Sequence, residues 1–212
     1  MPRHYITLET KQEVTSILQD IERNLKSRKE TDRIRWFSMW AVLAVASFGV
    51  AWFPMIFYSI KRRNDHFIRQ EKLEQLVMNK LEIISEELTT EVSKPKNAAL
   101  WAAATVFFVP AFYLFYSLKK DLQEHEMHEH VFLSEVNKIA KDCDVPLNVQ
   151  SFVTTPCFPP SKYIFLSVIS CGLAGAYWLY CLFNDYNNHF KMQWIIEDEL
   201  LRFLKEFDKK AT

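Results

Sequence analysis

Residues 36–60 read WFSMWAVLAVASFGVAWFPMIFYSI, a stretch that sets the fold class. It has 25 residues without Asp, Glu, Lys, Arg or His, and charge-free runs of 21 residues follow at 98–118 and 163–183. As helices the runs reach about 37, 32 and 32 Å, against about 30 Å for a bilayer's hydrocarbon core. Trp and Tyr crowd their ends, as in aromatic belts. The chain is therefore predicted to be all-α and integral to a membrane, with three membrane segments.

Each run carries a helix breaker near its middle: Gly49 and Pro54, Pro110, or Gly172 with Gly175. The segments are therefore either kinked spans or re-entrant hairpins, whose halves of about ten residues reach about 15 Å. Kinked spans are narrowly favoured, because a turn in hydrocarbon leaves backbone groups unpaired at several kcal/mol each. Lys and Arg near the segment ends are balanced between the two sides of three spans, so they predict no orientation.

The chain repeats along its whole length. Tyr58, Tyr116 and Tyr180 end the three runs in similar local sequence, and a polar stretch with histidine follows each of them. This spacing predicts duplication of one supersecondary unit. The predicted divisions are an amphipathic helix at 1–35 and three units of a membrane segment plus a helix at 36–97, 98–162 and 163–212. The second unit also contains a Pro-rich connector.

Four polar stretches carry apolar residues spaced by four, three and four, which predicts four amphipathic water-side helices. We expect the stripes to pack against one another in a bundle, because four matching stripes satisfy each other. Docking of a partner helix and lying flat on the membrane are the alternatives. The stripes are Val14, Leu18, Ile21 and Leu25; Val77, Leu81, Ile84 and Leu88; Phe132, Val136, Ile139 and Cys143; and Ile196, Leu200, Phe203 and Phe207.

Residues 170–180 read SCGLAGAYWLY, and Asp185 and Asn187 follow. This stretch resembles a small prokaryotic membrane domain of unknown function, which has a Cys-Gly turn, then Tyr-Trp-x-Tyr, then Asp and Asn after the membrane. Residues 48–52 match it more loosely, and the second run has Pro110 in place of the glycine. The resemblance implies an integral membrane protein and brings no activity with it.

Residues 125–130 read HEMHEH and are the densest group of metal-ligand types in the chain. Imidazoles with carboxylates or thiolates bind zinc or copper, so the candidate metal ligands are His125, His128 and His130. A solvated polar helix is the favoured interpretation, because neither Cys-x-x-Cys nor His-Glu-x-x-His is present. Cys143 and Cys157 are expected to form a disulfide if their loop is outside the cell and to stay reduced if it is inside.

Composition excludes several classes of protein. Lys and Arg number 26, equal to Asp and Glu, which argues against a nucleic-acid binder. Three glycines leave no phosphate-binding loop, so no cofactor is predicted. We expect a non-enzymatic scaffold or assembly factor in the membrane, the cell membrane if prokaryotic, with lipid, itself or other membrane proteins as partners. The alternative is a membrane sensor or regulator that uses the histidine cluster for metal or pH. An enzyme or transporter comes third.

Overall fold

A computed structural model describes residues 8–85, 88, 94–149 and 160–211. Within these ranges the chain is all-α, as predicted, with seven helices and no strand. The connector residues 150–159, which include Cys157, lie outside the described residues. The helices are α1 (Leu8–Thr31), α2 (Phe37–Ala46), α3 (Trp52–Leu81), α4 (Ala98–Ala104), α5 (Phe108–Asp142), α6 (Pro160–Ile169) and α7 (Leu173–Ala211).

Each charge-free run folds back on itself as a helical hairpin, with a short first helix and a long second one. Ring contacts join the two arms of each hairpin, at centroid distances of 6.3, 5.7 and 4.8 Å. No helix of the described ranges is long and apolar enough to cross a membrane. The preference for kinked spans is therefore not supported, and the hairpin geometry is the one observed. The ring pairs are Trp40 with Tyr58, Trp101 with Tyr113, and Tyr163 with Trp178.

The turn between α2 and α3 satisfies its own backbone. Phe48 and Gly49 have φ values of 51° and 91° in the left-handed region, which reverses the chain. The N–H of Gly49 donates to the carbonyl of Ala44 at 2.7 Å. The N–H of Ala51 donates to the hydroxyl oxygen of Ser47 at 2.8 Å. The expected cost of unpaired backbone, which favoured spans, is therefore reduced within the turn itself.

The turn between α6 and α7 has the same conformation. Gly172 has a φ of 94°, and its N–H donates to the carbonyl of Ser167 at 2.7 Å. The N–H of Ala174 donates to the hydroxyl oxygen of Ser170 at 3.0 Å. Two of the predicted repeats therefore share a turn at the level of individual hydrogen bonds, although only the serine, the glycine and the alanine are common to both.

The amphipathic stripes pack against one another, as predicted. Helices α1, α3, α5 and α7 form a bundle in which α1 is antiparallel to the other three. Its apolar core includes Ile21, Val77, Val136 and Phe203, each at most 1% exposed. Ile84 is an exception at 99% exposed, because α3 ends at Leu81. The side chain of Val14 lies outside the described residues.

A second apolar core lies inside the hairpins. It includes Ile60, Leu114, Trp178 and Phe190, which are buried. The hairpin turns instead expose large apolar side chains to the surroundings, as with Phe48 at 99%. Between the two apolar cores the long helices bury a group of charged and polar side chains, and the candidate site lies there.

Candidate metal centre

Charged side chains are buried where the hairpins meet the bundle, and we call this group the polar layer. Among the described residues it contains six carboxyl groups against four cationic groups, besides histidines and amides. Two partly exposed cations at its edge also contact these carboxyl groups: Lys96 lies 2.8 Å from Asp121, and Arg28 lies 3.7 Å from Glu197. Buried carboxylates are costly unless cations or protons balance them. The members are Asp32, Glu74, Asp121, Glu126, Glu129 and Glu197 against Arg62, Arg63, Arg69 and Lys119.

Three histidines meet inside the polar layer, one from each long helix of a hairpin. His66 on α3, His125 on α5 and His189 on α7 are 0%, 4% and 3% exposed. One ring nitrogen of each lies within 4.8 Å of the corresponding atoms of the other two. They come together because they occupy equivalent positions in the three repeats, eight or nine residues after Tyr58, Tyr116 and Tyr180.

Carboxylates orient two of these three rings. The Nδ1 atom of His66 lies 2.8 Å from Asp32 Oδ1, and the Nδ1 atom of His189 lies 3.3 Å from Glu126 Oε1. A carboxylate accepts a hydrogen bond, so the Nδ1 atom of His66 carries the hydrogen and its Nε2 atom presents a lone pair. The Nε2 atoms of His66 and His189 are 3.2 Å apart. This contact is a hydrogen bond when Nε2 of His189 carries the hydrogen, and a metal ion bound by both nitrogens would take the place of that hydrogen.

Asp32 follows the last turn of α1 and is held by several donors. Arg69 Nη2 donates to it at 2.7 Å, and the indole of Trp194 donates at 3.0 Å. Burial opposes its ionisation, but contacts with His66, Arg69 and Thr31 hold the pKa of the carboxyl below its usual value. Asp32 is therefore a fixed anion behind the His66 ring.

His66 and His125 are in the protonation state that metals require. Burial lowers the pKa of His66 to about 4, and it lowers the pKa of His125 well below the usual value. Neutral imidazole is the form that coordinates a cation. His125 stacks on Phe67 at a centroid distance of 4.3 Å, and its Nε2 atom is buried without a hydrogen-bond partner in the described structure. A buried polar atom without a hydrogen-bond partner lowers the stability of the folded protein by about 1–3 kcal/mol.

The spacing of the rings fits a transition-metal ion. Two imidazole nitrogens bound to tetrahedral zinc at 2.0–2.1 Å lie about 3.3–3.4 Å apart, close to the observed pair. Imidazole ligands suit zinc, copper, iron and nickel. Carboxylates on the far nitrogens are the usual outer partners of such ligands. Three protein ligands leave one coordination position for water or a further group.

The three sequence-predicted ligands have different environments. His125 is in the centre, whereas the Nδ1 atom of His128 lies 3.3 Å from Glu74 Oε2 and His130 is exposed. The hydrogen bond with Glu74 raises the pKa of His128. The structure therefore brings only one of the three to the centre. His66 and His189 were missed as ligands, although their matching repeat positions were the available signal.

The cysteines do not join the centre in the described part of the chain. Cys143, Cys171 and Cys181 are free thiols, and the potential metal-ligand group contains histidines alone. The expected pairing of Cys143 with Cys157 stays a prediction, since Cys157 lies outside the described residues.

No family model matches the chain, and neither a curated protein nor a solved structure shows similarity to it.

Proposed function

We propose that the protein is a membrane-inserted metal sensor or regulator that binds a divalent transition-metal ion through His66, His125 and His189. The observation that carries this proposal is the pair of Nε2 atoms 3.2 Å apart, each on a ring whose other nitrogen faces a carboxylate. A cation bound by both Nε2 atoms would take the place of the hydrogen between them. Zinc is the first candidate, because three histidines with an open position form a familiar zinc site.

A divalent ion also suits the charge of the polar layer. The layer holds six buried carboxyl groups against four buried cationic groups, and partly exposed Lys96 and Arg28 offset part of this difference. Burial raises the pKa of Glu129 to about 7, so in the metal-free protein a proton on this group offsets part of the excess. When the metal ion binds, its charge would therefore replace that of the proton on Glu129 in neutralising the carboxyl groups.

Coupling between repeats supports a regulatory role. Each ligand belongs to a different hairpin, so binding draws α3, α5 and α7 together at one point. An ion that binds only the folded arrangement stabilises it in proportion to its concentration. A scaffold that acts through its water-side helices finds less support, because the stripes of those helices are used in the bundle core.

Insertion of the hairpins into one leaflet is supported by their exposed apolar turns. Phe48, Phe107 and Leu173 are 99%, 68% and 74% exposed at the three turns. A ten-residue helix such as α2 is about 15 Å long, half of the hydrocarbon core. The resemblance of residues 170–180 to a small prokaryotic membrane domain supports the same assignment. We therefore place the protein in a membrane, the cell membrane in a prokaryote.

The metal test uses the full chain purified in mild detergent. We expect about one equivalent of bound zinc by elemental analysis after reloading, and tight binding by competition with a chromophoric chelator. His189→Asn should lose the bound ion, whereas His130→Gln, which changes an exposed histidine, should keep it. Failure of the folded parent to bind zinc, copper, nickel or iron contradicts the proposal, as does unchanged binding in His189→Asn.

The insertion test measures co-flotation with phosphatidylcholine vesicles. Replacing Phe48, Phe107 and Leu173 with lysine should lower the partition coefficient at least tenfold, since a charged side chain is costly in hydrocarbon. Ile84→Lys is the matched control, because Ile84 is equally exposed but lies at the far end of the bundle. Equal flotation of the triple variant and the control contradicts insertion through the turns.

A further inference from the structure

A cavity of about 820 Å³ lies between the end of α1, residues 33–35 and the middle of α3, and we call it the basic cavity. Its volume is in the range of small-molecule sites. Seven cationic and three acidic side chains line it. The excess of positive charge indicates an anionic occupant.

Two of the three carboxylates in the cavity wall are already paired. Asp20 binds Arg23 at 2.8 Å, and Asp65 binds Lys61 at 2.6 Å. Three other lining arginines make no ion pair with a carboxylate anywhere in the described ranges; these are Arg33, Arg35 and Arg62. The unneutralised charge of the cavity is therefore concentrated on arginine, the side chain best suited to bind phosphate with two hydrogen bonds.

Arg62 and the backbone of Arg35 are held in place by Asn187. Arg62 is 4% exposed, and its Nη1 donates to Asn187 Oδ1 at 2.9 Å. The same Asn187 donates to the carbonyl of Arg35 at 2.8 Å, which fixes residues 33–35 beside α3. The Nε atoms of Arg35 and Arg62 are buried without a hydrogen-bond partner in the described structure.

The arginines also repel one another. Burial lowers the pKa of Arg62 to about 9, a value that also includes an opposing effect of Tyr186 and a smaller lowering by the nearby charge of Arg35. Burial and then Arg33 lower the pKa of Arg35. An anion between the guanidinium groups relieves both costs.

The position of the cavity relative to the first hairpin indicates where the anion comes from. Arg35 directly precedes the charge-free run, and its guanidinium lies 4.7 Å from the ring centroid of Tyr58 and 5.9 Å from that of Trp40. Aromatic rings of this kind favour the headgroup level of a bilayer. The cavity therefore lies at the depth of lipid phosphates if the hairpin is inserted.

We propose that the basic cavity binds a phosphate ester through Arg33, Arg35 and Arg62, presented by an anionic phospholipid headgroup. A soluble phosphate ester offers the same chemistry and is the other source. The lipid source rests on the proposed insertion of the hairpins, whereas phosphate binding as such does not.

The test compares binding of the full chain to vesicles of phosphatidylcholine alone and to vesicles that also contain phosphatidylglycerol. Arg33→Gln and Arg35→Gln should each reduce the affinity gained from phosphatidylglycerol about tenfold, the loss of one charged hydrogen-bonding contact. Lys120→Gln is the control, since Lys120 is exposed and follows Tyr116 by the same four residues that separate Arg62 from Tyr58. Lys120→Gln should reduce the affinity gained from phosphatidylglycerol fivefold or less, which is the effect of one surface charge near anionic lipid. In a second arm, glycerol phosphate is titrated into the detergent-solubilised protein and its Arg35→Gln variant.

A gain from phosphatidylglycerol that Arg35→Gln removes and Lys120→Gln keeps supports the headgroup. Binding of glycerol phosphate that Arg35→Gln weakens, with no gain from phosphatidylglycerol, supports phosphate binding from a soluble source. The proposal is overturned if neither probe binds, or if Lys120→Gln weakens binding as much as Arg35→Gln. Binding to phosphatidylcholine alone reports insertion separately, so a failure of insertion is distinguished from a failure of the cavity.

Discussion

His66 and His189 are 123 residues apart in sequence, and their Nε2 atoms face each other at 3.2 Å inside the polar layer. The Nδ1 atom of His66 donates to Asp32, so its Nε2 atom presents a lone pair toward His189, whose own Nδ1 atom lies 3.3 Å from Glu126 Oε1. The pair therefore has the geometry of two ligands for one ion. Several consequences of this arrangement, of the hairpin turns and of the buried carboxyl groups can be measured.

Asp32→Asn should weaken metal binding by 10- to 100-fold, since it removes the carboxylate that orients and polarises His66. It should also lower the free energy of unfolding by about 3 kcal/mol, because Arg69 loses a buried partner. Asp198→Asn is the control: Asp198 pairs with Arg28 but is 60% exposed, so its loss should cost less than about 1 kcal/mol. Chelator competition and denaturant unfolding measure the two effects. Parent-like zinc affinity in Asp32→Asn would show that Asp32 does not support a ligand.

Ser47→Ala and Ser170→Ala should each destabilise the protein by about 0.5–2 kcal/mol, the cost of losing a cap on a helix N-terminus. Their hydroxyl oxygens accept the N–H groups of Ala51 and Ala174 in the hairpin turns. Ser38→Ala, at an exposed position of α2, should change stability by less than about 0.5 kcal/mol. Thermal unfolding in detergent distinguishes the variants. Equal melting of all three would contradict a capping role for the turn serines.

The stability of the metal-free protein should depend on the protonation of Glu129. Burial raises the pKa of this carboxyl from 4.5 to about 7, so between these pH values the folded state holds a proton that the unfolded state has lost. The free energy of unfolding therefore falls as pH rises through this window, by about 3 kcal/mol in total. Glu129→Gln should remove that decrease, which unfolding curves at a series of pH values measure.

A control for this prediction is Glu135→Gln, which changes a surface carboxyl paired with Lys138. Its pH profile should follow that of the parent. His66, with its pKa lowered to about 4, contributes the opposite slope between about 4 and 6.5 in every variant, so only the difference between profiles reports Glu129. A Glu129→Gln profile parallel to that of the parent would contradict the proton on Glu129.

Hairpins and spans predict different labelling patterns. Single cysteines replace Lys26, Lys141 and Lys209, which are exposed on α1, α5 and α7, in a background without the four native cysteines. In intact cells an impermeant thiol reagent should label all three or none, because hairpins return the chain to the side from which it entered. Phe48→Cys should resist the reagent from either side in broken membranes. Labelling of Lys26→Cys and Lys141→Cys without Lys209→Cys, or of Lys209→Cys alone, is the pattern of three spans and would contradict the hairpins.

The helical bundle was predictable because its stripes follow a single period. The spacing of Ile21 and Leu25 recurs in the later helices, and the structure buries these residues in one core. The end of α3 was not predictable from that period, since Ile84 continues the stripe while Glu82 takes a φ of 53° and ends the helix. A stripe reports which face is apolar and carries no information about where a left-handed residue stops the helix.

The choice between spans and hairpins depended on hydrogen bonds in the turns, which the hydropathy of the sequence does not predict. Ser47 and Ser170 are only uncharged positions within the apolar runs of the sequence, whereas each accepts a backbone N–H in its turn. The group of three histidines was missed for a related reason. His125, His128 and His130 are neighbours in sequence, but His66 and His189 reach His125 only because duplicated helices are parallel around one axis. Position within the repeat, rather than local density of ligands, was the informative property.

Asp32 at the end of α1 connects the beginning of the described chain to its last helix. Its partners include Trp194, 162 residues away, and Arg69, which also binds Glu197 of α7. Because synthesis proceeds from the N-terminus, α7 is made after α1, α3 and α5. Until α7 is made, Asp32 and two of the three histidines lack their final neighbours. The three histidines therefore come together only after the third repeat has been synthesised. In a chain that ends before α7, the charged side chains of the polar layer would lack their partners. Proteolytic quality control removes chains with defects of this kind.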